Sequence, residues 1–236
     1  MRFTIDDKFF EQIPNAVFGV VAVANVDNTK SYPEIENMLK ENISQCEAFY
    51  EGKKIKECPE IICYREAMRT LGFNPNKYMC SIEALLTRIS KKKGFPTINP
   101  IVDLGNAISI KYKVPIGAHD LDSSNEDFYV RPSKETDYFR PFGAELDQFD
   151  NPSSEEIVYA TGDSIRTRRW IWRQSEEGKI TENVTNLMFP IDGFEENKEQ
   201  VISARNELAE KIQEIFGLTP VVGLIHKDNP SFEIIL

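Results

Sequence analysis

The first half of the chain alternates apolar and polar residues with the spacing of amphipathic helices. Proline suits the first position of a helix and glycine the residue after its last turn, and both stand at such places here. Ser81 and Asn99 are expected to cap helices, because their side-chain oxygens accept hydrogen bonds from free backbone amides. The pattern predicts four helices, over residues 33–50, 59–71, 81–92 and 100–113.

The fourth of these helices has the clearest apolar face. Ile101, Leu104 and Ile108 recur at helical spacing after the expected cap. The helix should end before Pro115, since proline cannot continue it. We expect its apolar face to pack against a sheet formed by the strands that follow residue 125.

The second half has short apolar runs separated by turn residues, a pattern typical of strands. An earlier run over residues 16–24 is β-branched and predicts a buried strand, and a long amphipathic pattern over 195–216 predicts a helix that ends at Gly217. Further strands are predicted over residues 128–131, 156–160, 165–172, 187–191 and 219–225. This order favours an α+β fold with helices layered on sheet, as one domain over residues 1–236.

Composition excludes several classes of protein. A chain of 236 residues with 41% hydrophobic content is large enough to bury a core. No apolar run is long enough to cross a membrane and residues 1–7 lack a signal sequence, so we expect a cytoplasmic protein. The cysteines at 46, 58, 63 and 80 lack the spacing of zinc ligands. We therefore expect free thiols, no metal and no cofactor.

The net charge of −10 argues against tight, nonspecific binding of nucleic acid, whose phosphates require clustered cations. It does not exclude transient docking through a local basic patch. Lys91 to Lys93 form one such run, although cations also suit the end of a helix. Arg166 to Arg173 form another, in which arginine and tryptophan mix on both faces of the predicted strand. Such residues can bind a carboxylate or phosphate or stack on a base. The alternative is that the tryptophans pack while the arginines pair with acids.

The most specific signal lies between residues 95 and 122. This segment contains Ile98-Asn99-Pro100-Ile101-Val102-Asp103, followed by Asn106, Pro115, Ala118 and Asp120-Leu121-Asp122. The series resembles the core motif of the B3/B4 editing domain in the beta subunit of bacterial phenylalanyl-tRNA synthetase. The resemblance covers roughly residues 58–192 and does not include the catalytic core of the synthetase. It implies a freestanding member of that family.

The resemblance implies a layered α+β domain that hydrolyses mischarged aminoacyl-tRNA in trans and so serves translation fidelity. A synthetase rejects a slightly smaller amino acid poorly, because one methylene is worth only about 1–3 kcal/mol, and a separate pocket corrects the error. The ester is activated, so a positioned water and donors to the oxyanion suffice. The expected partners are aminoacyl-tRNA, bound transiently, and an amino acid in the pocket, with no membrane.

His119 and Asp120, in the turn after the motif helix, are the candidate catalytic residues. Asp103 and Asn106 share a helix face, and helix interiors disfavour both residue types. We expect the motif residues and the Arg166–Arg173 strand to converge on one pocket. The expected substrate-binding residues are Arg65, Asn99, Asp103, Asn106, Gly117, Arg168, Arg169, Trp170, Trp172 and Arg173. Structural roles stay open as alternatives: an ion pair for Arg65, a polar network for Asp103 and Asn106, and a hydrogen-bonded position for His119.

The chain departs from the resembled family at the positions that select the amino acid. Gly117 stands where that family has its editing-site histidine, and His119 where it usually has phenylalanine. The glutamate that recognises a tyrosine hydroxyl falls near Pro190 or Ile191, neither of which accepts that bond. We therefore expect a deacylase that is not specific for tyrosine and that favours a smaller or aliphatic amino acid. The same departures leave open a noncatalytic module that binds an amino acid or tRNA, or a protein adaptor.

Overall fold

Two β-sheets lie face to face, with helices packed on the outer side of one of them, in a computed structural model that describes residues 1–236. The helices are α1 (Asp7–Gln12), α2 (Pro33–Phe49), α3 (Pro59–Thr70), α4 (Ser81–Ser90), α5 (Pro100–Tyr112) and α6 (Lys198–Phe216). The strands are β1 (Arg2–Ile5), β2 (Ala16–Val23), β3 (His119–Asp120), β4 (Phe128–Pro132), β5 (Ile157–Thr161), β6 (Ser164–Arg168), β7 (Arg173–Gln174), β8 (Leu187–Phe194), β9 (Val221–His226) and β10 (Ser231–Glu233).

The larger sheet has six strands in the order β10-β1-β4-β5-β6-β7, and the smaller has four in the order β3-β8-β2-β9. Only β1 and β4 pair in parallel, while the other neighbours are antiparallel. This arrangement confirms the α+β class with helices layered on sheet. No helix is both long enough and apolar enough to cross a bilayer. All four cysteines are free thiols, as expected.

Strand β2 is buried on both faces and separates two apolar clusters. Phe18 and Val20 belong to a cluster that holds residues of both sheets and of α1 to α4, whereas Val17 and Val21 belong to the cluster beneath α5 and α6. Successive side chains of a strand point to opposite faces, so one unbroken apolar run serves both layers. Gly19 lets α6 approach closely, since a Cβ atom there would lie 3.1 Å from Val201 Cγ1.

Helix α5 packs on the smaller sheet through its predicted apolar face. The side chain of Asn99 caps the helix by accepting a hydrogen bond from the Val102 amide at 3.1 Å. Ile101, Leu104 and Ile108 then share one cluster with residues of β8. The expectation is confirmed for β8, but the strand beside it is β2, from the first part of the chain.

Two sequence predictions need correction, and several short elements were not predicted. The strand expected over residues 165–172 ends at Arg168, because Arg169 (φ 47°) and Trp170 (φ 60°) take left-handed conformations that reverse the chain. Ser81 is the first residue of α4 rather than its cap, and Cys80 holds the cap position. The short elements β1, α1, β3, β7 and β10 were not predicted.

Candidate functional site

A cleft of about 1280 Å³ opens beside the N-terminal half of α5. Its walls come from the loop around residues 28–32, the start of α2, one face of α4, the segment 95–99 and the loop 179–183. The charged residues that line it are three lysines and three acids, Lys30, Lys40, Lys179, Glu36, Asp103 and Glu182. This volume exceeds that of most small-molecule sites, so the cleft has room for a ligand of nucleotide size.

The motif helix presents its polar residues to this large cleft. Asn99, Asp103 and Asn106 all line it, as their spacing predicts. Asp103 is largely buried and accepts a hydrogen bond from the Ile98 amide at 3.0 Å. Burial raises its pKa, and the amide partly opposes the rise. Asn99 also donates to the Ile180 carbonyl at 2.9 Å, so it holds two walls of the cleft together.

A second, smaller cavity of about 100 Å³ adjoins the large cleft. Four residues line both spaces and mark the junction between them, namely Ser81, Ile116, Gly117 and Gln174. Gly117 lies close to its neighbours, because a Cβ atom there would be 3.3 Å from Pro190 Cγ and 3.4 Å from His119 Nε2. The absence of a side chain at 117 therefore keeps the passage wide.

His119 lines the small cavity and is 1% exposed. Its ring stacks on that of Tyr159 with centroids 5.2 Å apart, and its Nδ1 atom has no hydrogen-bond partner. Burial, with the nearby charge of Arg166, lowers the pKa of His119 to about 3. The imidazole is therefore neutral near pH 7, where it can accept and donate hydrogen bonds without carrying charge.

Asp192 lies at the inner end of the same cavity and was missed in the sequence. Its Oδ1 atom accepts hydrogen bonds from the Tyr159 hydroxyl at 2.6 Å and from Trp170 Nε1 at 2.7 Å. Burial raises the pKa of Asp192 to about 7, although both hydrogen bonds oppose the rise. Both bonds go to Oδ1, and Asp192 is one of the residues that line the cavity. A lone acid within the apolar strand β8 was the signal that could have identified it.

The junction also carries polar side chains. Ser81 begins α4 without capping it, so its hydroxyl is free of that role. The backbone amide of Ser81 donates to the Ile171 carbonyl at 3.0 Å, and the start of α4 carries the positive end of the helix dipole. Gln174 donates its Nε2 hydrogens to the carbonyls of Ala118 at 2.6 Å and Gly178 at 2.9 Å, which fixes its side chain.

The arginines of residues 166–173 divide into two groups. Arg168 is 3% exposed and binds Glu156 through Nε at 2.8 Å and Nη2 at 2.9 Å, with Asp150 as a further partner. Arg169 also contacts Glu156, at 3.4 Å. Burial alone would raise the pKa of Glu156, but the two arginines hold it below its usual value. Neither Arg168 nor Arg169 lines either space.

Arg173 has a different environment from Arg168 and Arg169. It is exposed, makes no ion pair and lines the small cavity together with Trp170 and Trp172. Trp170 is fully buried, whereas Trp172 is half-buried and packs edge-on against Tyr78. The only cation of this run that remains available to a ligand at the small cavity is therefore Arg173.

Two other predicted site residues lie outside both spaces. Asp120 accepts a hydrogen bond from the Asp122 amide at 2.8 Å and so holds the turn after β3. Arg65 is buried on α3, where its Nη1 binds Glu83 Oε1 at 2.6 Å. The expected convergence on one pocket is therefore partial. Gly117, His119, Trp170, Trp172 and Arg173 share the small cavity, and Asn99, Asp103, Asn106 and Gly117 share the large cleft.

Comparison with known proteins identifies a family and structural relatives. The model of the family described as the B3/4 domain matches residues 63–217. Among solved structures, the chain is similar to an N-terminal fragment of the phenylalanyl-tRNA synthetase beta subunit from Pyrococcus horikoshii. The identity is 14% and the TM-score 0.49, over 92% of this chain and 49% of that chain. The chain thus spans about half the length of that fragment. No curated protein matches it.

Proposed function

The chain belongs to the B3/4 domain family, as its sequence motif predicts, and on that premise we propose that it hydrolyses mischarged aminoacyl-tRNA in trans. The observation that carries the proposal is the small polar cavity that opens from the large cleft at Gly117. An aminoacyl ester joins a large nucleotide to an amino acid with a smaller side chain. The two connected spaces are likewise one large and one small. We take residues 1–236 to act as one unit in the cytoplasm, where translation takes place.

The large cleft is proposed to receive the terminal nucleotide, and the small cavity the side chain of the amino acid. A volume of about 100 Å³ suits only a small side chain. Tyr159, Trp170 and Trp172 form much of its wall and exclude an aromatic ring. These features support an activity that is not directed at tyrosine.

The polar lining of the small cavity refines the expected substrate. Asp192 and the neutral imidazole of His119 both line the cavity and offer hydrogen-bonding groups to a side chain that enters. An aliphatic side chain would form no hydrogen bond with them, and an unpaired buried polar group costs about 1–3 kcal/mol. A small side chain with a hydroxyl group, as in serine or threonine, satisfies them. The proposal therefore favours a hydroxyl-bearing amino acid over an aliphatic one.

The hydrolysis requires positioning more than strong acid or base chemistry. Water attacks the ester carbonyl and the bond from carbonyl carbon to ribose oxygen breaks. The ribose oxygen takes one proton of the water, the other passes to solvent, and the amino acid leaves as its carboxylate. The Ser81 hydroxyl lies at the junction, where it can donate to the developing oxyanion. Arg173 lies at the same cavity, where it can meet a phosphate of the terminal nucleotides.

Two observations favour a binding module without turnover as the second candidate. His119 has a pKa lowered to about 3, so it is a weak base, and Arg168 and Arg169 are occupied by acids of the fold. A domain of this kind would retain an aminoacyl group without releasing it. Substrate specificity would then come from the same cavity.

The experiment that separates the two candidates uses a panel of aminoacylated tRNAs. Each carries a labelled amino acid, and release by the purified protein is compared with release in buffer. Release of serine or threonine well above the rate in buffer supports the hydrolase. Saturable binding of one charged tRNA, with release no faster than in buffer, supports the binding module.

A further inference from the structure

A third space, which we term the basic cleft, lies on the other side of α4 from the large cleft and has a volume of about 560 Å³. Ser81, Ala84 and Leu85 face the large cleft, whereas Glu83, Thr87 and Ser90 face the basic cleft. One helix therefore forms a wall of both spaces. An α-helix with its side chains is about 10–12 Å across, so this is the width that separates the two spaces.

The charges of the basic cleft oppose those of the chain as a whole. It is lined by five cations and one acid, namely Lys53, Lys54, Lys56, Arg65, Lys91 and Glu83. The chain carries a net charge of −10, and the large cleft has equal numbers of positive and negative groups. A concave surface lined by one sign of charge concentrates ligands of the opposite sign. The electrostatics thus place a polyanion in the basic cleft rather than in the large one.

The cation at the floor of the basic cleft is held by fixed partners, whereas those at its rim are mostly unpaired. At the floor, Arg65 is fixed by Glu83 at 2.6 Å and by the Asn76 amide oxygen at 2.5 Å. At the rim, the four lysines are exposed, and only Lys54 has an ion-pair partner, Glu57 at 3.3 Å. Their ammonium groups are therefore free to follow the phosphates of a flexible or curved ligand. Lys53 also lies 3.6 Å from the ring centroid of Phe49, whose side chain is 54% exposed and extends the surface.

We propose that the basic cleft binds the phosphodiester backbone of the RNA whose 3′ end enters the large cleft. This inference rests on the proposed function, which supplies an RNA-linked substrate. A tRNA ends in an unpaired strand long enough to cross α4, so its acceptor stem can lie along the lysines while its terminal ester reaches Gly117. The contacts are to phosphate, so they are independent of base sequence.

The test measures binding of uncharged tRNA as a function of salt concentration. The variant Lys53→Gln, Lys54→Gln, Lys56→Gln removes three rim charges. The matched control Lys8→Gln, Lys134→Gln, Lys227→Gln removes the same charge from exposed lysines outside the three spaces. Each lost phosphate contact lowers the slope of log affinity against log salt by roughly 0.7 to 0.9. We expect the rim variant to lose a slope of about 2 to 3, with affinity at least about tenfold lower at low salt, and the control to match the wild type.

Three results would overturn the proposal. These are an unchanged salt slope in the rim variant, an equal loss in the control, or tighter binding of anionic lipid vesicles than of tRNA. The proposed function is tested separately, by measuring hydrolysis of an aminoacyl-adenosine ester that is too short to reach the basic cleft. The rim variant should hydrolyse this ester at the wild-type rate. Failure of all ester hydrolysis, with tRNA binding and its salt slope intact, would reject the hydrolase and retain the basic cleft as an RNA site.

Discussion

The indole of Trp170 donates its Nε1 hydrogen to Oδ1 of Asp192 at 2.7 Å, and the two side chains are 0% and 2% exposed. This contact requires the left-handed conformation of Trp170, which costs about 1–2 kcal/mol in a residue with a side chain. The Trp170 amide offsets part of that cost by donating to the Ile157 carbonyl at 2.7 Å. The turn therefore fixes one carboxylate oxygen of Asp192, a residue that lines the small cavity.

Replacement of Asp192 by asparagine should reduce selectivity for a hydroxyl-bearing amino acid. Asparagine keeps the shape and one acceptor for Tyr159 and Trp170, but removes the charge. A hydrogen bond to a charged group is worth about 1.5–3 kcal/mol, so at pH 8, above the pKa of Asp192 of about 7, we expect kcat/KM for threonyl-tRNA to fall by about ten- to a hundredfold. Release of valine, which is isosteric with threonine, should change much less.

The matched control for this substitution is Asp163→Asn, which makes the same chemical change on an exposed turn. It should leave both rates at their wild-type values. An equal loss on threonyl and valyl esters in Asp192→Asn would show that Asp192 supports the fold rather than the choice of amino acid.

His119 and Asp192 should change the free energy of unfolding in opposite directions as the pH rises. His119 has a pKa lowered from 6.5 to about 3, so its contribution to stability is present above pH 6.5 and is lost as the pH falls toward 3. Asp192 has a pKa raised from 3.8 to about 7, so its contribution is present below pH 3.8 and is lost as the pH rises through 7. Between pH 4 and 6.5 the two effects oppose each other in the wild type.

Urea unfolding of single variants across this range separates the two groups. Relative to wild type, Asp192→Asn should gain stability as the pH rises from 4 to 7, whereas His119→Gln should lose it over the same interval. Arg166 lies near His119 and Tyr159 contacts both groups, and both residues stay in the two variants. Parallel pH profiles for the wild type and both variants would contradict the predicted shifts.

A side chain at position 117 should narrow the passage between the two spaces. In Gly117→Val the branched side chain begins 3.3 Å from Pro190 and 3.4 Å from His119, so it fills the junction. We expect amino-acid release to fall at least about tenfold, as a small misplacement of the reacting ester is costly. Binding of uncharged tRNA, measured by fluorescence anisotropy, should be unchanged, because the basic cleft is on the far side of α4. Wild-type release by this variant would show that the ester does not pass Gly117.

Substitution by alanine should lower stability at Arg168 and weaken substrate binding at Arg173. Arg168→Ala leaves Glu156 buried without its main partner, which typically costs about 3–5 kcal/mol. Arg173→Ala removes an exposed, unpaired side chain, so the free energy of unfolding should change by less than about 0.5 kcal/mol. The second variant should instead raise KM for aminoacyl-tRNA. Thermal unfolding and steady-state kinetics on both variants test these roles. A stable but inactive Arg168→Ala would show that Arg168, rather than Arg173, contacts the substrate.

Local signals of the sequence were enough to predict much of the fold. Asn99 caps α5 and Gly217 ends α6 because those residues have strong local preferences that tertiary packing does not override. The prediction of one strand over residues 165–172 failed because long-range contacts override the local pattern there. Its reversal at Trp170 depends on Asp192 and Ile157, which are distant in sequence, and left-handed arginine and tryptophan have no local signature.

The candidate site also contains some residues that local spacing predicts and others that only the tertiary structure places. Asn99, Asp103 and Asn106 share a cleft because helical spacing alone places them on one face. Arg65, Arg168 and Arg169 were expected to meet substrate, yet each pairs with a carboxylate that the sequence pattern does not identify as its neighbour. Asp192 was missed because its partners come from β5 and the turn after β6, and only the tertiary structure brings these together.

The most direct test of the central claim is the rate of amino-acid release from tRNAs charged with labelled threonine, valine or tyrosine, measured with the purified protein and in buffer alone. The account predicts release of threonine well above the buffer rate, slower release of valine, and tyrosine at the buffer rate. Rapid release of tyrosine would contradict the proposed role of the small cavity. Release of no amino acid above the buffer rate, with serine included in the panel, would contradict the hydrolase itself.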